Sequence, residues 1–167
     1  RMMLGDHLTD EECEILSQEK EAHYRRLYRE HMAPIGGLSH FFEEAGKEGI
    51  KLGVATSAPV ENIDFIMDGL KMRDKFGVIV GAADIEHSKP APDIYLKSAA
   101  KLGVKPEECL VVEDAPIGIE SAHRAGCPCL VLTTSLTNAE AMALPGVVAA
   151  AADLEAFPLS AMKRLFN

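Results

Sequence analysis

The sequence predicts an α/β protein built on a doubly wound parallel sheet. Two observations carry that prediction. Short continuous apolar runs recur at 52–55, 78–80, 110–112 and 130–132, with a weaker one at Val147-Val148. Helical patterns occupy the intervals between them. Uninterrupted apolar runs of this length belong to strands buried on both faces, and the helices between them are the crossovers that parallel pairing needs.

The elements follow in order. Thr9-Asp-Glu-Glu12 has the spacing of a capping box, so a helix starts there. Ile15, Leu16, Ala22, Tyr24, Leu27 and Tyr28, with charges between them, carry it toward Met32, and Pro34, Gly36 and Gly37 end it. This makes a charged helical arm of about 20 residues. Leu38, Phe41, Phe42 and Ala45 then mark a short amphipathic helix stopped at Gly49. After the first apolar run, helical patterns over 60–70, 92–102, 117–125 and 139–144 alternate with the remaining runs, most of them closed by a nearby Gly. The one plausible boundary is Pro34 to Gly37, between arm and α/β core. No internal repeat interrupts the pattern.

Composition narrows the classes of function. The 167 residues are 47% hydrophobic and 26% charged, proportions of an ordinary globular core. With 26 Asp and Glu against 17 Lys and Arg the formal charge is −9, which disfavours nucleic acid and anionic lipid as partners. The longest apolar run, Val147 to Ala152, is far short of the roughly 20 residues a membrane-spanning helix needs. Arg-Met-Met-Leu-Gly at the start does not read as a signal peptide, so a cytoplasmic location is expected. Cys13, Cys109, Cys127 and Cys129 lack zinc-ribbon spacing and read as reduced core thiols.

In a doubly wound sheet ligands bind beyond the C-terminal ends of the strands. Thr56 and Ser57 follow the first run, where hydroxyls and amides hold a phosphate oxygen; an ordinary helix cap is the plainer alternative. After the second run, Pro90 and Pro92 stiffen the backbone around Ala91 and so hold Lys89 in place. A fixed ammonium there neutralises a phosphoryl group or crowded carboxylates; a solvated Lys is the alternative. After the third run come Glu113 and Asp114, close to Gly118. Two adjacent acids at a buried strand end are costly unless a metal cation or a Lys offsets their charge, and Mg²⁺ suits one or two carboxylates plus a substrate phosphate.

Val-Ala-Thr56-Ser57, Ser88-Lys89-Pro-Ala-Pro-Asp and Val-Glu113-Asp114-Ala-Pro-Ile-Gly-Ile, in this order and spacing, resemble the second, third and fourth motifs of the haloacid dehalogenase superfamily. The resemblance is to its β-phosphoglucomutase-like phosphatase and mutase branch and covers essentially the whole chain. It implies a Rossmann-like core in which Thr56 contacts the transferring phosphoryl group. Lys89 would bridge that group to the nucleophile's carboxylate. Asp114, with Glu113 directly or through water, would hold Mg²⁺. The arm resembles the last helix of the family's cap, with Lys20, three residues after Ser17 and four before Tyr24, at a position that grips a distal substrate phosphate.

The family's Asp-x-Asp motif, which supplies nucleophile and general acid/base at the end of a first strand, is absent. Asp6 and Asp10 have the wrong spacing and read as loop and helix-start acids. In the family that strand lies at the sheet centre. The expectation is therefore a C-terminal portion of a longer protein, with 1–34 the last part of a helical cap and 35–167 the core. A slot beside Val54 and Val111 should be empty or filled from elsewhere, since an unpaired central ladder is unfavourable. The function so implied is Mg²⁺-dependent phosphoryl transfer, most simply hydrolysis of a small phosphorylated metabolite such as a sugar phosphate, competent only with the missing Asp-bearing N-terminal segment. A mutase and a non-catalytic phosphate- or metal-binding descendant are the alternatives. Dehalogenation is disfavoured because that branch needs no metal.

Overall fold

The computed structural model describes residues 8–166. The first element of the described residues is α1 (Asp10–Tyr28), whose capping box forms as the sequence predicts: Thr9 N donates to Glu12 Oε2 at 2.8 Å and Glu12 N to Thr9 Oγ1 at 3.2 Å. Acids in its first turn and Arg25 and Arg26 in its last complement the helix dipole. No residue of α1 is buried, and it packs against α3. Asp10 sits in its first turn, as expected of a helix-start acid, whereas Asp6 lies outside the described residues.

The core alternates α2 (Leu38–Lys47), β1 (Gly53–Ala55), α3 (Val60–Gly69), β2 (Val78–Val80), α4 (Asp93–Leu102), β3 (Val111–Glu113), α5 (Pro116–Ala125), β4 (Cys129–Leu132), α6 (Asn138–Met142), β5 (Val147–Ala151) and α7 (Leu159–Lys163). All strand pairings are parallel. The sheet is in two parts: β1 pairs with β2, and β3-β4-β5 form a separate ladder. Among the described residues no strand pairs with the second edge of β1 or of β3. This is the interruption expected beside Val54 and Val111, and it leaves Val112 42% exposed in mid-strand.

Two apolar clusters hold the parts together. Val80, Ile94, Tyr95, Val111, Ile119 and Val131 belong to one, with Ala55 of β1 packed against it, so α4 and α5 span both parts of the sheet. The other joins Ala45 of α2 and Leu159 and Met162 of α7 to Leu130, Ala149 and Leu154. Helices on both faces make the fold doubly wound, as predicted. At the start of α2, Gly37 adopts φ +79° and a Cβ there would lie 2.6 Å from Glu155 N. Leu154 N also donates to Gly36 O, so the 36–37 turn is pinned against the 153–155 loop.

β3, β5 and α7 are among the departures from the sequence reading. β3 is shifted one residue to end on Glu113, which places that side chain on the strand itself. β5 runs five residues rather than two because Ala149 to Ala151, weak strand formers, pair with β4. α7 carries no sequence signal, since five residues are too few for helical periodicity to show. The four cysteines are free, and burial pushes the Cys127 and Cys129 thiols up to about 11 and about 12. Among the described residues no helix is long and apolar enough to cross a membrane.

Candidate active site

The β1 exit does not behave as an ordinary cap. α3 starts from Pro59 with no side-chain cap, and the Thr56 hydroxyl instead accepts from Ala58 N at 3.1 Å. Thr56 N donates back to Val80 O of β2 at 3.0 Å, which fixes the turn to the sheet and leaves the hydroxyl hydrogen as a donor. Ser57 beside it is exposed.

Lys89 is held from several sides. Its loop closes with a cis Lys89–Pro90 bond and a turn in which Ala91 N donates to Ser88 O. Ser121 of α5, fully buried, donates to Ala91 O at 2.6 Å, and Asp93 Oδ2 accepts from His87 N at 3.1 Å. The Lys89 ammonium donates to Glu113 Oε1 and lies 5.1 Å from the Tyr95 ring centroid. Its side chain is only 12% exposed, so the solvated-Lys alternative fails.

Tyr95 OH donates to the same Glu113 oxygen, and Asp114 N donates to Glu113 Oε2 at 3.2 Å. A Cβ on Gly118 would fall 2.2 Å from the Glu113 carboxyl, so the absence of a side chain at 118 makes room for this arrangement. Burial opposes the Glu113 charge, but the bonds from Lys89 and Tyr95 outweigh it and leave the carboxyl below its usual range. Burial, followed by the Glu113 charge, pushes the Tyr95 phenol well up, so it stays a donor.

Asp114 is left as the exposed carboxylate at the β3 exit. Thr134 Oγ1 donates to its Oδ2 at 3.2 Å, and Ser135 Oγ to its backbone O at 2.6 Å. The structure thus joins Lys89, Glu113 and Asp114 in one network. Thr56 and Ser57 stand at the β1 exit and, among the described residues, share no hydrogen bond with that network. Lys20 is not brought to either group; it pairs with Glu21 at 2.6 Å on the arm. Tyr95, Ser121, Thr134 and Ser135 were not singled out from sequence. Tyr95 alone carried a signal there, as an aromatic in the first turn of the helix after the stiffened Lys.

Among the described residues no three His, Cys, Asp or Glu side chains gather into a metal cage. The donor set that is present, one open carboxylate beside a hydroxyl, fits a hard cation that takes its remaining ligands from water and substrate, as Mg²⁺ does. Glu113 is committed to Lys89, Tyr95 and Asp114 N.

Residues 2–132 match the family described as haloacid dehalogenase-like hydrolase. The chain belongs to that family. YhcW of Bacillus subtilis is 34% identical over 135 residues, 81% of this chain and 60% of that protein. The phosphoglycolate phosphatase of Salmonella paratyphi A is 30% identical over 141 residues, 81% of this chain and 54% of that protein. A family IA, variant 3 HAD hydrolase from Entamoeba histolytica superposes with a TM-score of 0.86 at 29% identity, covering 95% of this chain and 72% of that one. The chain thus spans little more than half the length of these two curated relatives.

Proposed function

We propose that these residues form most of the core of a Mg²⁺-dependent phosphatase acting on a small phosphorylated metabolite, with an Asp nucleophile carried by a strand outside them. The observation that carries the reading is the buried Lys89, held by Glu113 and Tyr95 beside the strand end from which Asp114 projects. Thr56 and Ser57 at the neighbouring exit bind the phosphoryl oxygens, Lys89 offsets the charge shared between phosphoryl group and nucleophile, and Asp114 ligates the metal. Mg²⁺, when bound, supplies further neutralisation of the phosphoryl oxygens. Lys20, exposed on the arm and paired with Glu21, is the cation this reading offers to a distal substrate phosphate.

The unpaired edges of β1 and β3 support a further parallel strand between them. Such a strand would end between Thr56 and Asp114, where a nucleophile is needed. The family's phosphatases support hydrolysis over other chemistry. The full-length protein is expected to release p-nitrophenol from p-nitrophenyl phosphate with Mg²⁺, to stop on addition of EDTA and to recover when Mg²⁺ is restored. Turnover indifferent to EDTA overturns the metal assignment, and no turnover at all points to a non-catalytic phosphate-binding descendant.

A further inference from the structure

The contacts that set α1 on the core run in one direction. Glu21 and Arg25 meet Asn62 of α3; the Arg29 guanidinium carbon lies 5.7 Å from the Phe65 ring centroid; Met32 Sδ lies 2.3 Å from where a Cβ on Gly69 would be. Arg29 and Met32 lie just past the end of α1, and positions rise together from α1 through them and along α3, so α1 and α3 run parallel and Asn62 marks the contact nearest their N-terminal ends. Before it, residues 14–20 of α1 are all exposed. On the α3 side, Asn62 sits in the first turn after Thr56-Ser57-Ala58-Pro59, its N–H donating to Pro59 O at 3.0 Å.

Asn62 is 7% exposed and both ends of its amide are used. Nδ2 donates to Glu21 Oε2 at 2.6 Å, and Oδ1 accepts from Arg25 Nη1 at 2.6 Å. Opposite charges one helical turn apart fix the orientation of the amide, because a flip would set its oxygen against a carboxylate and its NH₂ against a guanidinium. Helix packing alone has little to hold α1 with, since none of its residues is buried.

The geometry points to Asn62 as a positioning residue that registers the α1 arm over the Thr56-Ser57 loop, so that anion affinity at the loop depends on the arm. The inference rests on the reading of that loop as the phosphoryl-binding site. From Asn62 the arm extends through Lys20 back to Asp10, about 16 Å at the helical rise, so a small tilt at Asn62 becomes a large displacement at the far end.

Asn62→Asp in the full-length protein keeps the shape and the Arg25 bond but sets a carboxylate against Glu21. Hydrogen exchange of α1 is expected to rise by about tenfold or more, with β4 and α5 unchanged, and inhibition of p-nitrophenyl phosphate turnover by inorganic phosphate to weaken by about tenfold. Adding Glu21→Gln, which returns a donor to the pair, should restore both. Should Asn62→Asp fail to fold, Glu21→Ala, on the more accessible side of the contact, must give the same two changes. Unchanged α1 exchange, unchanged phosphate affinity or no rescue by Glu21→Gln each overturns the proposal. A wild-type protein that binds no phosphate overturns the loop reading itself, a result distinct from a wild type and a variant that bind it equally.

Discussion

Asp114→Asn in the full-length protein is expected to lower Mg²⁺-dependent turnover of p-nitrophenyl phosphate by at least about 10²-fold. The substitution is nearly isosteric. The amide oxygen still accepts from Thr134, and the Ser135 bond goes to the unchanged backbone O. What disappears is the negative charge on the exposed carboxylate at the β3 exit. An exposed side chain with these partners retained should change stability by no more than about 0.5 kcal/mol, so activity and folding separate cleanly. Rates measured across a Mg²⁺ series, beside a thermal melt, check this. Unaltered turnover removes Asp114 from the metal site.

Lys89→Met is expected to damage both activity and stability. Met follows the path of the Lys stem but carries no charge, leaving the Glu113 carboxylate, 11% exposed, with only Tyr95 OH and Asp114 N as donors. Removing one member of a buried ion pair costs about 3 kcal/mol. The dependence on pH carries the sign of the effect. In the wild type Glu113 titrates below its ordinary range, so its contribution is full above that range and is lost as pH falls through the folded value. Without Lys89, burial dominates and raises the carboxyl, so the deficit of the variant should be widest near neutral pH and narrow as the solution is acidified. Melting temperatures of both proteins at neutral and at mildly acidic pH test this; a deficit that stays constant or widens on acidification contradicts the Glu113 assignment.

The sequence made the alternation of strands and helices legible because buried parallel strands are continuous apolar runs and their crossovers carry caps and glycines. It also located Lys89, Glu113 and Asp114, since two prolines and adjacent acids are costly without a purpose. It did not show that Glu113 serves Lys89, because that depends on Gly118 leaving room for the carboxyl and on Tyr95 donating across from α4. Thr134, Ser135 and Asn62 were equally illegible: each acts through partners at least 20 residues away, and hydroxyls and amides in loops and first turns are common for local reasons. The interrupted sheet was inferred from an absent motif, and the separate β1-β2 and β3-β4-β5 ladders show it directly.

The most direct test of the account is a crystal structure of the full-length protein with Mg²⁺ and inorganic phosphate. The account predicts a strand paired between β1 and β3, phosphate within hydrogen-bond distance of the Thr56 hydroxyl and the Lys89 ammonium, and Asp114 on the metal. Phosphate bound away from Thr56 and Lys89, or β1 and β3 still unpaired on their open edges, would contradict it.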